Sequence, residues 1–108
     1  MIEVDKENFE SEVLLSEQPV LVDFWGPKCE KCLAMMPDVE LLANEYMDKV
    51  KFCKMDVSKN RRFAISQKVL GLPSIVLYQK GERILHLAED MTIESIRKAL
   101  EEFRKGAN

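Results

Sequence analysis

Two cysteines stand in the string Cys29-Glu30-Lys31-Cys32. When the first lies just before a helix and the second in its first turn, this spacing brings the sulfurs within disulfide reach. A helix N-terminus presents unpaired N–H groups and a partial positive charge. That environment stabilises a thiolate, the form that attacks a disulfide. Lys28 and Lys31 add positive charge, and Glu30 opposes them. Cys29, at the open end of the expected helix, is the better nucleophile, and Cys32, one turn in, is the resolving thiol. Two other chemistries use the same residues. Cys53 and His86 could complete a Cys₃His zinc set, and the pair could be a static structural disulfide. Cys53 falls in an apolar strand and His86 far along the chain, so a redox pair is the preferred reading, with no metal.

The elements that must position this pair follow from periodicity. Val20-Leu21-Val22-Asp23-Phe24-Trp25 is a near-continuous β-branched and aromatic run, the pattern of a strand buried on both faces. Gly26-Pro27 ends it. A helix is expected over about Cys32 to Met47, with Met36, Val39, Ala43 and Tyr46 at helical spacing and Pro37 removing one hydrogen bond inside it. Upstream, Ile2 to Val4 is a short β-prone start, and Asp5 caps a helix to about Leu15, with Phe9, Val13 and Leu14 on one face. Downstream, Val50 to Val57 is a strand, Asn60 to Gln67 a short helix and Pro73 to Tyr78 a further strand. Gln79-Lys80-Gly81-Glu82 turns the chain into a strand from Arg83 to Leu87. Thr92 caps a last helix carrying Ile93, Ile96, Ala99, Leu100 and Phe103 as one stripe. The six methionines read as core filler. The order β-α-β-α-β-α-β-β-α implies an α/β fold, a central mixed β-sheet flanked by helices.

Composition narrows the function. A chain of 108 residues has room for one domain, taken as residues 1–108. Sixteen Lys and Arg against nineteen Asp and Glu leave a net charge of −3, which argues against nucleic-acid binding. The acidic start Met1-Ile2-Glu3-Val4-Asp5 lacks the basic and apolar regions of a secretory signal, and no apolar run approaches a membrane span. A cytoplasmic protein with reduced thiols and no membrane attachment is the expectation.

With the cysteine pair placed between strand and helix, the sequence resembles the thioredoxin family from about Ile2 to Phe103. VLVDFWGPKCEKCLAMMP matches the family's strand, active-site loop and kinked helix, and LGLPSIVLYQKGE matches its cis-proline segment. Asp23, Trp25, Cys29, Cys32, Pro37, Lys54, Pro73 and Gly81 all sit at the family's spacing. The resemblance implies a thioredoxin fold and a disulfide reductase that needs no cofactor. It implies that Cys29 forms a mixed disulfide with substrate and that Cys32 then attacks Cys29. It implies that Pro73 is cis, with adjacent backbone at Leu72 offered to an extended substrate, and that Asp23 lies behind Cys32 as proton acceptor, tuned by Lys54. The implied partners are protein disulfides and a thioredoxin-reductase-type enzyme, with the chain acting as a monomer. The string around the cysteines also resembles thioredoxins of anaerobic amino-acid-fermenting clostridial bacteria, whose partners include the glycine-reductase selenoprotein.

The residues themselves agree in part. A carboxylate inside an apolar strand is costly unless paired or functional, and burial raises its pKa toward neutrality. A structural Asp23–Lys54 ion pair is the alternative. Pro73 also fits a plain strand-start proline, Trp25 core packing beside the site, Cys53 an inert buried thiol and His86 a surface residue without a partner.

The sequence departs from the family at the docking rim. Glu30-Lys31 replaces Gly-Pro between the cysteines, Lys28 replaces the tryptophan before them, and Glu89 stands where a glycine is expected. These changes alter partner choice and salt sensitivity. They also suggest a potential less reducing than usual, since Lys31 and the helix end favour the thiolate. An oxidant or isomerase, and a partner-binding module with regulatory cysteines, are the rival functions.

Overall fold

In the computed structural model, which describes residues 1–106, the apolar run forms the central strand of a five-stranded mixed sheet. The strands are β1 (Ile2–Glu3), β2 (Val20–Trp25), β3 (Lys51–Asp56), β4 (Ser74–Gln79) and β5 (Glu82–Leu87), in the spatial order β1-β3-β2-β4-β5. β2 pairs parallel with β3 and antiparallel with β4, and both its faces are covered. The helices are α1 (Glu30–Glu45), α2 (Arg61–Ser66) and α3 (Ile93–Gly106). Residues 107–108 of the expected 1–108 span lie outside the described residues.

Alternation along β2 divides the core into two layers. Val20, Val22 and Phe24 join Phe9, Val13, Met55, Ala64, Val76 and Tyr78 on one face. Leu21 joins Val39, Leu42 and Tyr46 of the α1 segment and Ile96 and Leu100 of α3 on the other. Asp23 and Trp25 share the period of Leu21 and so belong to the face that α1 covers. Burying side chains such as Phe24 and Leu42, each at most 1% exposed, contributes about 1.5–3 kcal/mol apiece.

Several expectations shift locally. The first helix is a π-helix over Glu10–Leu14, entered through a turn at residues 6–8 that Asp5 caps by accepting from the Glu7 and Asn8 amides. One or two turns are too few for periodicity to separate a π from an α winding. α1 begins at Glu30, two residues earlier than expected, because Cys29 itself is the N-cap. A short 3₁₀ turn, Val57–Lys59, follows β3. The β4–β5 turn is the expected hairpin: Lys80 (φ 52°) and Gly81 (φ 82°) both lie in the left-handed region, the two-residue geometry that matches strand twist. Thr92 caps α3 through its Oγ1, which accepts from the Ser95 amide, and Ser95 Oγ reciprocates on the Thr92 amide. Met55 and Met91 are buried, but Met47 is 67% exposed at the end of the α1 segment and fills no core.

Candidate functional site

The site is built where β2 hands over to α1. Gly26 leaves the sheet, a turn closes with the Cys29 amide donating to the Gly26 carbonyl (3.1 Å), and the Leu33 amide donates to the Cys29 carbonyl (3.1 Å) as the helix starts. Cys29 Sγ accepts from the Cys32 amide at 3.2 Å, one of the helix N-terminal N–H groups left without an intrahelical partner. The two cysteines are joined as a disulfide with Cα atoms 5.2 Å apart. Cys29 is half-buried, whereas Cys32 is 2% exposed. A sulfur at the helix tip that accepts an amide N–H is well placed to carry negative charge once the disulfide opens.

Asp23 is 4% exposed, and burial pushes its carboxyl up to about 7, with the nearby Lys54 charge holding it lower than burial alone would. It faces Lys54 in the β2–β3 register and Ile75 in the β2–β4 register. No ion pair joins Asp23 to Lys54 among the described residues. The ammonium lies instead over the Trp25 ring, 6.0 Å from its centroid. Trp25 is half-buried, with its Nε1 shielded and without a hydrogen-bond partner. Asp23 therefore combines burial with a titration range in which it can give or take a proton at neutral pH.

A second loop approaches from β4. The Leu72–Pro73 peptide is cis, and Ser74 Oγ donates to the Gly71 carbonyl at 2.7 Å. The Leu72 side chain lies on Gly26, where an added Cβ would stand 3.2 Å from Leu72 Cδ1. This contact couples the two loops. Lys28 and Glu30 are exposed. Lys31 is exposed too, but its Nζ donates to the Glu89 carbonyl at 2.5 Å rather than standing free beside the sulfurs.

The remaining candidates fall elsewhere. Cys53 is fully buried in β3, and burial pushes its thiol up to about 11, which leaves it in the unreactive neutral form. His86 is exposed on β5 but has a partner, because its Nδ1 lies 2.8 Å from Arg83 Nη2. That contact was not expected, since residues three apart on a regular strand point to opposite faces. A register shift after Arg83 inserts one residue and brings the two together. Among the described residues no cluster of His, Cys, Asp or Glu is gathered to hold a metal ion.

Sequence reasoning missed Gly26 and Gly71 as parts of the site. Each allows a side chain of the opposite loop to lie against backbone: Leu72 on Gly26, and Glu89 on Gly71. Their positions, directly before the cysteine loop and directly before Leu72, were the available signal.

The chain is similar to known proteins along most of its length. A family model described as thioredoxin matches residues 1–102. The chain is 47% identical over 97 residues to a thioredoxin of Acetoanaerobium sticklandii, covering 89% of this chain and 92% of that one. It is 49% identical over 90 residues to a thioredoxin of Peptoclostridium acidaminophilum, covering 83% and 82%. It is also 39% identical over 82 residues to thioredoxin C-2 of Corynebacterium nephridii, covering 76% of each chain.

Proposed function

Because the chain belongs to the thioredoxin family and is a thiol–disulfide oxidoreductase, we propose a division of labour in which Cys29 attacks and Cys32 resolves. One observation carries this assignment: Cys29, at the helix tip, is only half-buried, whereas Cys32 is 2% exposed.

In the reduced protein the Cys29 thiolate attacks one sulfur of a substrate disulfide. A mixed disulfide forms, and the departing substrate sulfur takes up a proton. Asp23, ionised, accepts the Cys32 proton, directly or through water. The Cys32 thiolate then attacks Cys29 Sγ and expels the second substrate thiolate, which is protonated in turn. Two electrons and the Cys32 proton, which Asp23 gives up again, have passed to the substrate with a second proton from solvent, and the Cys29–Cys32 disulfide remains. Lys54 sets how readily Asp23 accepts the proton. An external reductase of the thioredoxin-reductase type returns the two electrons.

The backbone beside Pro73, at Leu72, pairs with an extended substrate segment, while Trp25, Lys28, Glu30 and Lys31 form the rim it meets. The whole chain, residues 1–108, works as one cytoplasmic domain and as a monomer. Among the described residues no helix is long and apolar enough to cross a membrane. One acceptor of its electrons is the glycine-reductase selenoprotein, a partner implied by the resemblance of the cysteine string to thioredoxins of amino-acid-fermenting clostridial bacteria.

The test is a mixed-disulfide trap. Cys32→Ser should freeze protein partners on Cys29, to be identified by mass spectrometry, and should abolish turnover of a protein disulfide such as insulin. If Cys29→Ser trapped the same partners as well or better, the roles would be reversed.

A further inference from the structure

We propose that Glu89 determines specificity, selecting disulfide substrates that carry a cationic side chain beside the attacked cysteine. This rests on the assignment of Cys29 as the attacking sulfur and of the Leu72–Pro73 backbone as the substrate's track.

Glu89 spans the gap between the two loops of the site. Its carbonyl accepts from Lys31 Nζ at 2.5 Å, which ties its turn to the dipeptide between the cysteines. That turn is closed by the Met91 amide donating to the Ala88 carbonyl at 3.0 Å. Its side chain leans the other way, over Gly71: a Cβ there would stand 2.5 Å from Glu89 Oε1 and 3.1 Å from its Cδ. The carboxylate thus lies against Gly71, two residues before Pro73, while the Glu89 main chain is tied to the Lys31 side chain.

The carboxylate also forms no direct ion pair among the described residues. Glu89 is exposed, and the ion pairs among the described residues are Lys51–Glu12, Arg97–Glu45 and Arg104–Glu101. Lys31, the nearest tethered cation, contacts the carbonyl and not the carboxylate. An extended segment that delivers its sulfur to Cys29 along this track passes the Glu89 carboxylate, which forms no ion pair of its own among the described residues. A basic neighbour gains from it and an acidic one is repelled, so the same group attracts one class of substrate and rejects the other.

The experiment uses three disulfide peptides that differ at one position beside the attacked cysteine, which is Arg, Gln or Glu. The kcat/KM of each is measured with the full chain and with Glu89→Gln and Glu89→Lys, at low salt and at about 500 mM salt. At low salt the Arg-over-Glu preference should fall about three- to tenfold in Glu89→Gln, chiefly through KM, and fall further in Glu89→Lys. High salt should bring the unmodified protein's preference down toward that of Glu89→Gln. Equal Arg:Glu ratios in all three proteins at low salt would overturn the inference. Failure of the unmodified protein to reduce any of the peptides would overturn the functional assignment beneath it, a different result.

Discussion

Asp23 and Lys54 are register partners on adjacent parallel strands, yet the lysine places its ammonium 6.0 Å from the centre of the Trp25 ring and forms no ion pair with the carboxylate. A buried carboxylate paired with an ammonium would stay charged and be of little use as a proton acceptor. Here the cation lies close enough to restrain the Asp23 carboxyl but not to neutralise it, and burial dominates.

This arrangement makes stability depend on pH. The Asp23 carboxyl titrates at about 7 in the folded protein against 3.8 ordinarily, so between those values the folded state holds more protons than the unfolded state. Stability therefore falls as pH rises from about 4 to 7 and levels off above, a loss of about 4 kcal/mol at most. Asp23→Asn should flatten that slope and raise stability at pH 8. Urea unfolding of the oxidised protein at pH 5 and pH 8 measures both. A variant whose pH 5-to-8 difference equals that of the unmodified protein would remove Asp23 as the cause.

The same carboxyl should govern resolution of the mixed disulfide. Asp23→Asn should slow that step about ten- to a hundredfold near pH 7 and erase an apparent pKa near 7 from its pH profile. Lys54→Met removes the positive charge that restrains the carboxyl, so the profile should move to higher pH by about half a unit to one unit. Stopped-flow Trp25 fluorescence during single turnovers resolves these phases. A profile unmoved by Lys54→Met would separate Lys54 from the chemistry.

Much of this arrangement was legible because it depends on local sequence. The run Val20–Trp25 declared a strand covered on both faces, and the aspartate within it stood out because nothing apolar explains it. The cysteine spacing declared a helix start, although the first cysteine as cap moved that start to Glu30. The unread features depend on distant parts of the chain meeting. Glu89 reaches Gly71, and Lys31 reaches the Glu89 carbonyl, only after the sheet closes. The Arg83–His86 contact depends on a bulge that alternation alone does not reveal. Met47, at a helical position next to Tyr46, points away because the chain is leaving α1 for β3 there.

Cys53 should take no part in the redox cycle. It is fully buried, with its thiol held neutral by its surroundings. Iodoacetamide should leave the native oxidised protein unlabelled and add one label after unfolding without reductant. Cys53→Ala should cost about 1–2 kcal/mol, and Cys53→Ser about 1–3 kcal/mol because its hydroxyl would be buried among apolar side chains. Turnover per folded molecule should stay within about twofold of the unmodified protein. Labelling of the native oxidised protein at Cys53 would show that the strand opens far more readily than its burial implies.

The reduction potential should respond to the dipeptide between the cysteines, with a sign set by the helix end. Opening the disulfide leaves Cys29 Sγ at the tip of α1, facing the Cys32 amide, where negative charge is favoured. Glu30, exposed in the first turn, opposes that charge. Glu30→Gln should therefore stabilise the reduced form and make the potential less negative by about 5–15 mV at low salt, and less at high salt. Lys31→Gln should shift it the other way by a smaller amount, because the ammonium is engaged by the Glu89 carbonyl. The unmodified protein is expected above about −270 mV, the value typical of thioredoxin. Equilibration against glutathione redox buffers measures all three. A potential at or below about −270 mV, or a shift to more negative values in Glu30→Gln, would mean that the helix end and its flanking charges do not control this disulfide.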